Sequence, residues 1–273
     1  MKKTVSAVLG MLMLSTQAFA ADKVPAYVIG AHQSAADVSS KLTANGFEVL
    51  STFDVPGQSA LHIVVATSPA LKQMASADNR GFAAIVKVLV NDTKKEVKAT
   101  NPIYFANAYM QDDFNAAEAT KVADALNAAL GSKPSTDADA VAADDLAGFH
   151  FSAPFMPEYD DFAEVAKGAD ADLLAKIKAK AGSNLLFALD VGNGRTLVGV
   201  NLTGDAKNFP ETLAGWDKAL VFPYTVMIEG GKAKIMHPKY YLALSYPQLG
   251  MGQFAKIMAV PGQIEDEFEE LFK

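Results

Sequence analysis

The chain has no cysteine among its 273 residues. That excludes a disulfide, a thiolate nucleophile, a zinc–thiolate site and an iron–sulfur cluster, so packing alone must hold the fold together. Histidine is scarce, with four in all: His32, His62, His150 and His237. None lies three or four residues from another, so there is no helical ligand pair. His32 and His150 hold similar places early in the two halves of the chain, which is too little for a metal or haem site. No metal and no cofactor is expected. Met227, Met236, Met251 and Met258 lack the tight Met-x-x-Met spacing of thioether copper sites and read as core filling.

Longer catalytic motifs are missing too. There is no Gly-x-Ser-x-Gly elbow. Gly192-Asn-Gly-Arg195 lacks the Lys-Ser/Thr of a phosphate-binding loop and falls in a hairpin turn, not between a strand and a helix. Glu158, Asp160 and Asp161 cluster where a helix is expected to begin. Acids there complement the helix dipole more readily than they form a glycosidase pair. No apolar run approaches the roughly 20 residues of a membrane-spanning helix.

What is present starts with an address. Lys2 and Lys3 precede the apolar run Val5 to Leu14, and Ala18-Phe19-Ala20 offers the small-x-small pattern of a signal peptidase site. Cleavage after Ala20 and export to the periplasm are expected, and no cysteine follows to carry a lipid anchor. Without Lys2 and Lys3 the formal charge moves from −7 to −9. That acidity disfavours nucleic acid and anionic membrane surfaces as partners. A small ligand or a periplasmic protein is the expected partner, with no membrane span after signal cleavage.

One pattern is written twice, 136 residues apart. Lys98, Pro102 and Tyr104 recur as Lys234, Pro238 and Tyr240. Asp54-Val55 recurs as Asp190-Val191, and Leu61, Val64 and Thr67 recur as Leu197, Val200 and Thr203. A constant offset at so many positions implies one module in two copies. The expected layout is residues 1–20 as signal, 21–130 as the first module, 131–148 as a hydrated linker rich in Ala and Asp, and 149–273 as the second module ending in an acidic helix.

Periodicity and turn residues predict the elements. In the first copy these are strand 26–29, helix 37–44, strands 47–55 and 60–66, helix 69–74, strands 82–90 and 96–100, and helix 115–130. In the second they are strand 149–152, a helical region 161–181, strands 185–191 and 196–202, helix 210–216, and strands 220–229 and 232–237. Helix 264–272 follows, with a solvated acidic face. The order implies an α+β fold: two tandem ferredoxin-like β-α-β-β-α-β modules, each with an added hairpin strand, packed as a pseudo-dimer.

The element order, Gly46-Phe47-Glu48-Val49, Asn101-Pro102 and the repeated Lys-x-x-x-Pro-x-Tyr stretch resemble the bacterial domain of unknown function 302 family. The resemblance covers roughly residues 26–110 and, more faintly, 149–247. It implies a compact α/β fold and brings no catalytic residues. Departures in the second copy are His237 in place of Asn101 and a Pro247 after Tyr246.

The repeated turn is the place to look for a site. Lys98, Asn101 and Tyr104, with Lys234, His237 and Tyr240, offer amines, ring nitrogens and hydroxyls to an anionic or amphipathic ligand. The competing reading has the proline ending a strand and the aromatics packing a core or module interface. Non-enzymatic binding is the expected role. The alternatives are an enzyme using Lys234, His237 and Tyr240 as acid–base groups, and a structural envelope-assembly component.

Overall fold

Four tight hairpins organise the chain, each placed where the sequence supplies residues that accept positive φ. Gly57 (φ 76°), Asn193 and Gly194 (54° and 77°), and Gly230 and Gly231 (59° and 79°) close three of them, and Lys95 (56°) helps close the fourth. The computed structural model describes residues 22–152, 155–213 and 215–273. The expected signal segment and its cleavage site lie outside the described residues.

The first copy contains β1 (Lys23–Pro25), β2 (Tyr27–Ala31), α1 (Ala35–Ala44), β3 (Glu48–Val55), β4 (Gln58–Thr67), α2 (Pro69–Met74), β5 (Val86–Asn91), β6 (Glu96–Thr100), α3 (Pro102–Met110) and α4 (Ala116–Leu130). The connection holds β7 (Lys133–Pro134), β8 (Ala140–Ala142) and α5 (Ala143–Leu146). The second copy contains β9 (Ala163–Lys167), α6 (Asp170–Ala181), β10 (Leu185–Gly192), β11 (Arg195–Val200), α7 (Phe209–Leu213), β12 (Tyr224–Glu229), β13 (Lys232–Ile235), α8 (Pro238–Ser245), α9 (Met251–Phe254) and α10 (Val260–Glu270).

The α+β class holds, and the repeat is visible in the sheets. The first runs β3-β4-β5-β6-β2-β7 and the second β10-β11-β12-β13-β9. In both, four sequential strands form a meander and the opening strand joins the far side of the last one. The ferredoxin-like arrangement is not the one observed. A split β-α-β module interleaves its strands and pairs some of them in parallel. Among the described residues every strand pair is antiparallel. The tight hairpins dictate this for the pairs β3–β4, β5–β6, β10–β11 and β12–β13, since short turns join only antiparallel neighbours.

Three expectations change. The opening strand of the second copy is β9, not residues 149–152. Residues 163–167 carry helix-favouring Ala, Glu and Lys, but Gly168 (φ 158°) separates them from α6. As a result Glu158, Asp160 and Asp161 precede a strand and cap no helix. The Pro-x-Tyr stretches are helices, α3 and α8, each opening with proline in its first turn. Both are apolar nearly all round, so no amphipathic period betrays them. The connection is not a hydrated spacer. β7 extends the first sheet, β8 pairs with β1, and Leu146 is fully buried.

Strand alternation sorts side chains onto two faces. On the outer face of the first sheet, Val28, Val64, Ala66, Val88, Val90 and Val97 pack under Val38 and Leu42 of α1 and Leu126 and Leu130 of α4. Each such buried Val or Leu side chain contributes roughly 1.5–3 kcal/mol. On the inner face, Tyr27, Ile63, Val65 and Leu89 belong to a continuous core that includes Leu197, Met227 and Tyr240 of the second copy. The two modules thus share one interior. Met227 and Met236 fill it as expected, whereas Met251 and Met258 are exposed. The acidic face of α10 is not wholly solvated. Glu267 accepts hydrogen bonds from the Thr203 hydroxyl (2.7 Å) and the Gly204 amide (3.3 Å), which ties the loop after β11 to the helix.

A polar cleft between the modules

The six candidate residues of the repeated motif do not form one pocket. Asn101 and His237 do the same job in the two copies, capping α3 and α8. Asn101 Oδ1 accepts from the Ile103 amide (3.1 Å), and His237 Nδ1 accepts from the Lys239 amide (3.2 Å). An accepting Nδ1 carries no proton, so the cap requires neutral histidine. Burial and the nearby Lys239 push His237 down, which favours that form.

Tyr104 and Tyr240 are fully buried and lock the modules reciprocally. The Tyr104 hydroxyl donates to the Leu244 carbonyl (3.0 Å), and the Tyr240 hydroxyl donates to the Ala108 carbonyl (3.4 Å). Leu244 lies 136 residues beyond Ala108, so one contact is made twice with the copies exchanged. That is the signature of an isologous interface, here within a single chain. Burial drives the ionisation of both phenols upward, so neither exchanges protons near neutrality. The aromatic run is therefore interface packing. Around it, Tyr109 stacks on Tyr159 (5.5 Å between centroids), and Tyr159 meets Tyr240 edge-on (6.0 Å).

The lysines of the motif part company. Lys98 is buried with its ammonium 5.5 Å from the centre of the Tyr27 ring. Lys234 reaches a different setting, the inner face at the turn end of the second sheet. There Lys234 Nζ donates to Glu229 Oε1 (2.7 Å), and Arg195 Nε donates to Glu229 Oε2 (2.8 Å). β11, β12 and β13 place these three side chains side by side on one face. Burying three charges is tolerable only because every carboxylate oxygen is paired.

The first module closes over this group with the loop after α2. Arg195 Nη1 donates to the Ser76 carbonyl (2.6 Å) and Nη2 to Asp78, while Lys234 also donates to Asn79. Asn79 adopts φ 63°, and its carbonyl accepts from the Tyr159 hydroxyl (2.6 Å). Arg80 pairs with Asp160 (2.8 Å) and Asp113 (3.5 Å). Burial lowers the Arg80 pKa, but the Asp160 contact outweighs it and the net shift is upward. Gly81 then lets the loop touch β12, because a Cβ there would stand 1.9 Å from Met227 Cε. These two arginines are the only ones in the chain, and both sit at the module junction. That scarcity was the available signal, since arginine suits multidentate buried pairing better than lysine.

Beside this junction opens a cleft of about 330 Å³, lined by Asp78, Asn79, Asn193, Arg195, Glu229, Gly230, Lys232 and Lys234. Three cations face two acids. The Asp78 carboxylate is 89% exposed and the Lys232 side chain 49%, so their ends stand at the mouth. Lys232 is held by Glu164 (2.8 Å). Of the six expected residues, only Lys234 lines this cleft.

A second titratable group lies on the first module. His62 Nδ1 meets Asp54 (2.6 Å), His62 Nε2 meets Asp92 (3.2 Å), and His32 Nε2 meets the other Asp92 oxygen (2.7 Å). Partial burial lowers the His62 pKa, but its bonds to Asp54 and Asp92 outweigh that and leave it raised. His32 depresses Asp92. Among the described residues, no group of three or more His, Asp or Glu is placed to hold a metal ion. No family model matches the chain, and no curated protein or solved structure matches it either. The resemblance to the domain of unknown function 302 family rests on its short motifs alone.

Proposed function

We propose that the protein is a non-enzymatic binder, exported to the periplasm, that takes a small polar molecule bearing an oxyanion in the cleft between its modules. One observation carries this reading: a void of about 330 Å³ that concentrates Arg195, Lys232 and Lys234 against two acids, in a chain whose overall charge is −7. The volume sits at the small end of ligand pockets. The polar lining suits a compact hydrophilic ligand. Arg195 and Lys234 are committed to Glu229 and the loop after α2, so they supply field and rigidity. Lys232, half exposed at the mouth, can exchange its surface partner Glu164 for the ligand and is the contact group. The acid–base alternative finds less support, because the Tyr240 hydroxyl is spent on Ala108 and His237 on capping α8.

Thermal shift and calorimetry with sodium phosphate and sodium succinate test the reading, against sodium chloride at matched ionic strength and maltose as a neutral control. Saturable stabilisation by either oxyanion is expected. Lys232→Ala should abolish it, while Lys121→Ala on the exposed side of α4 should leave it intact. If neither oxyanion raises Tm beyond chloride, the proposal fails.

A further inference from the structure

We infer that Lys87 is a proton-operated latch joining the two modules, tighter when its side chain has given up its proton. Lys87 belongs to β5 of the first copy, yet its ammonium reaches into the second. It donates to the Val221 carbonyl (3.1 Å), the Pro223 carbonyl (2.9 Å) and the Tyr241 hydroxyl (2.7 Å). The side chain is buried, and the backbone amide of Lys87 is held by the Thr100 hydroxyl (3.0 Å). Three protons meet three oxygens, so the charged form is fully hydrogen-bonded.

It is nonetheless poorly compensated. The void beside it, of about 20 Å³, holds at most one water. That void is lined by Phe82, Ile85, Thr100, Phe105, Tyr109, Thr225, Met236 and Tyr241, with no carboxylate among them. Among the described residues the titratable neighbours lining this void are Tyr109 and Tyr241, both pushed upward by burial and therefore neutral. Among the described residues this cation faces dipoles and no carboxylate, which disfavours it, and burial lowers Lys87 to about 7.

The neutral amine fits the same cage with one hydrogen reversed. It keeps two donors for the carbonyls, and its lone pair can accept from Tyr241. In the charged state that hydroxyl instead donates to the Val221 carbonyl (3.0 Å). Loss of the proton thus removes an uncompensated charge without breaking the cage.

The sign follows from linkage. The unfolded chain holds this proton up to the ordinary lysine range near 10.4, whereas the folded protein releases it near 7. Between those values the unfolded state binds more protons, so stability rises with pH, by up to about tenfold per pH unit in the unfolding constant. Below about 7 both states are protonated and the gain is absent.

The test is NMR of the lysine Cε–Hε resonances across pH 5 to 11 on the full chain, with urea unfolding of wild type and Lys87→Met at pH 7 and pH 9. A Lys87 midpoint near 7 is expected, together with a fall in the unfolding constant from pH 7 to 9 at least about tenfold larger in wild type than in Lys87→Met. Tyr241→Phe should move the Lys87 midpoint, which a purely packing role would not do. A Lys87 midpoint in the ordinary lysine range, or parallel stability profiles for the two proteins, overturns the latch. If Lys87→Met does not fold, the midpoint in wild type and its displacement in Tyr241→Phe decide the question.

Discussion

The turn ends of the two sheets occupy the same place in the repeat but hold different chemistry. In the second sheet the residues flanking the turns are Arg195, Glu229 and Lys232, with Lys234 one step on along the inner face, beneath the loop of the other module. In the first sheet the matching turn positions are Gln58, Asn91 and Glu96. Asn91 Oδ1 turns back to accept from the Thr93 and Lys94 amides (3.1 and 2.9 Å). Glu96 apart, the ionisable side chains of that end that pair with one another lie elsewhere: His62 shares the outer face with Val64 and Ala66, and its chain to Asp54, Asp92 and His32 meets solvent. Which face a charge points to decides its role. Toward the partner module it becomes part of a buried network and frames a cleft; toward water it remains a titrating surface group.

Breaking the buried end should cost most. Glu229→Ala takes the buried carboxylate from Lys234 and leaves Arg195 only the exposed Asp78, and is expected to destabilise the fold by about 3–5 kcal/mol in urea unfolding. Its effect should spread to the loop holding Asn79 and Arg80, visible as faster amide exchange there. Next come the caps that the two copies share despite different residues. Asn101→Ala and His237→Ala should each cost about 0.5–2 kcal/mol. The asparagine should be the costlier, because its amide also donates to the Pro25 carbonyl (2.7 Å). Tyr104→Phe and Tyr240→Phe probe the reciprocal lock and should each cost about 0.5–1.5 kcal/mol. A loss confined to one of them would show that the internal symmetry is geometric but not energetic.

The smallest effect belongs to the exposed end. His62 is raised in the folded protein, so its contribution is fully present below the unfolded histidine value of about 6.5 and fades as pH rises through the folded value. With solvent screening the loss in His62→Asn is expected to be under about 1 kcal/mol at pH 5.5 and to vanish by pH 9. Urea midpoints at the two pH values measure it. An equal loss at both would show that the ring acts by packing instead of charge.

Local signals carried much of the fold. α2 and β6 fall where the Ser68-Pro69 start and the Asn91-Asp92-Thr93 turn placed them. The strands β3, β4, β10 and β11 differ from expectation by only a residue or two at their ends. The failures have two causes. α3 and α8 are helices without a polar stripe, so no period marks them, and β9 is a strand with helix-favouring composition, where the tertiary setting overrides local preference. The cleft was the least legible part. Asp78, Asn79, Glu229 and Lys232 attract no attention as residues, and Arg195 looked like part of an ordinary hairpin.

The sequence alone determined the antiparallel hairpins, the helix starts and the absence of thiol chemistry, because those depend on composition and on backbone geometry close in sequence, and its constant 136-residue offset pointed to the repeat. The pairing of the modules was decided only in three dimensions. Tyr104 meets Leu244, Lys87 meets Pro223, and Arg195 meets Ser76, each across more than a hundred residues. No periodicity encodes such a choice. It arises because each sheet has one apolar face left to bury, and the lowest-cost partner for that face is the other copy of the same module.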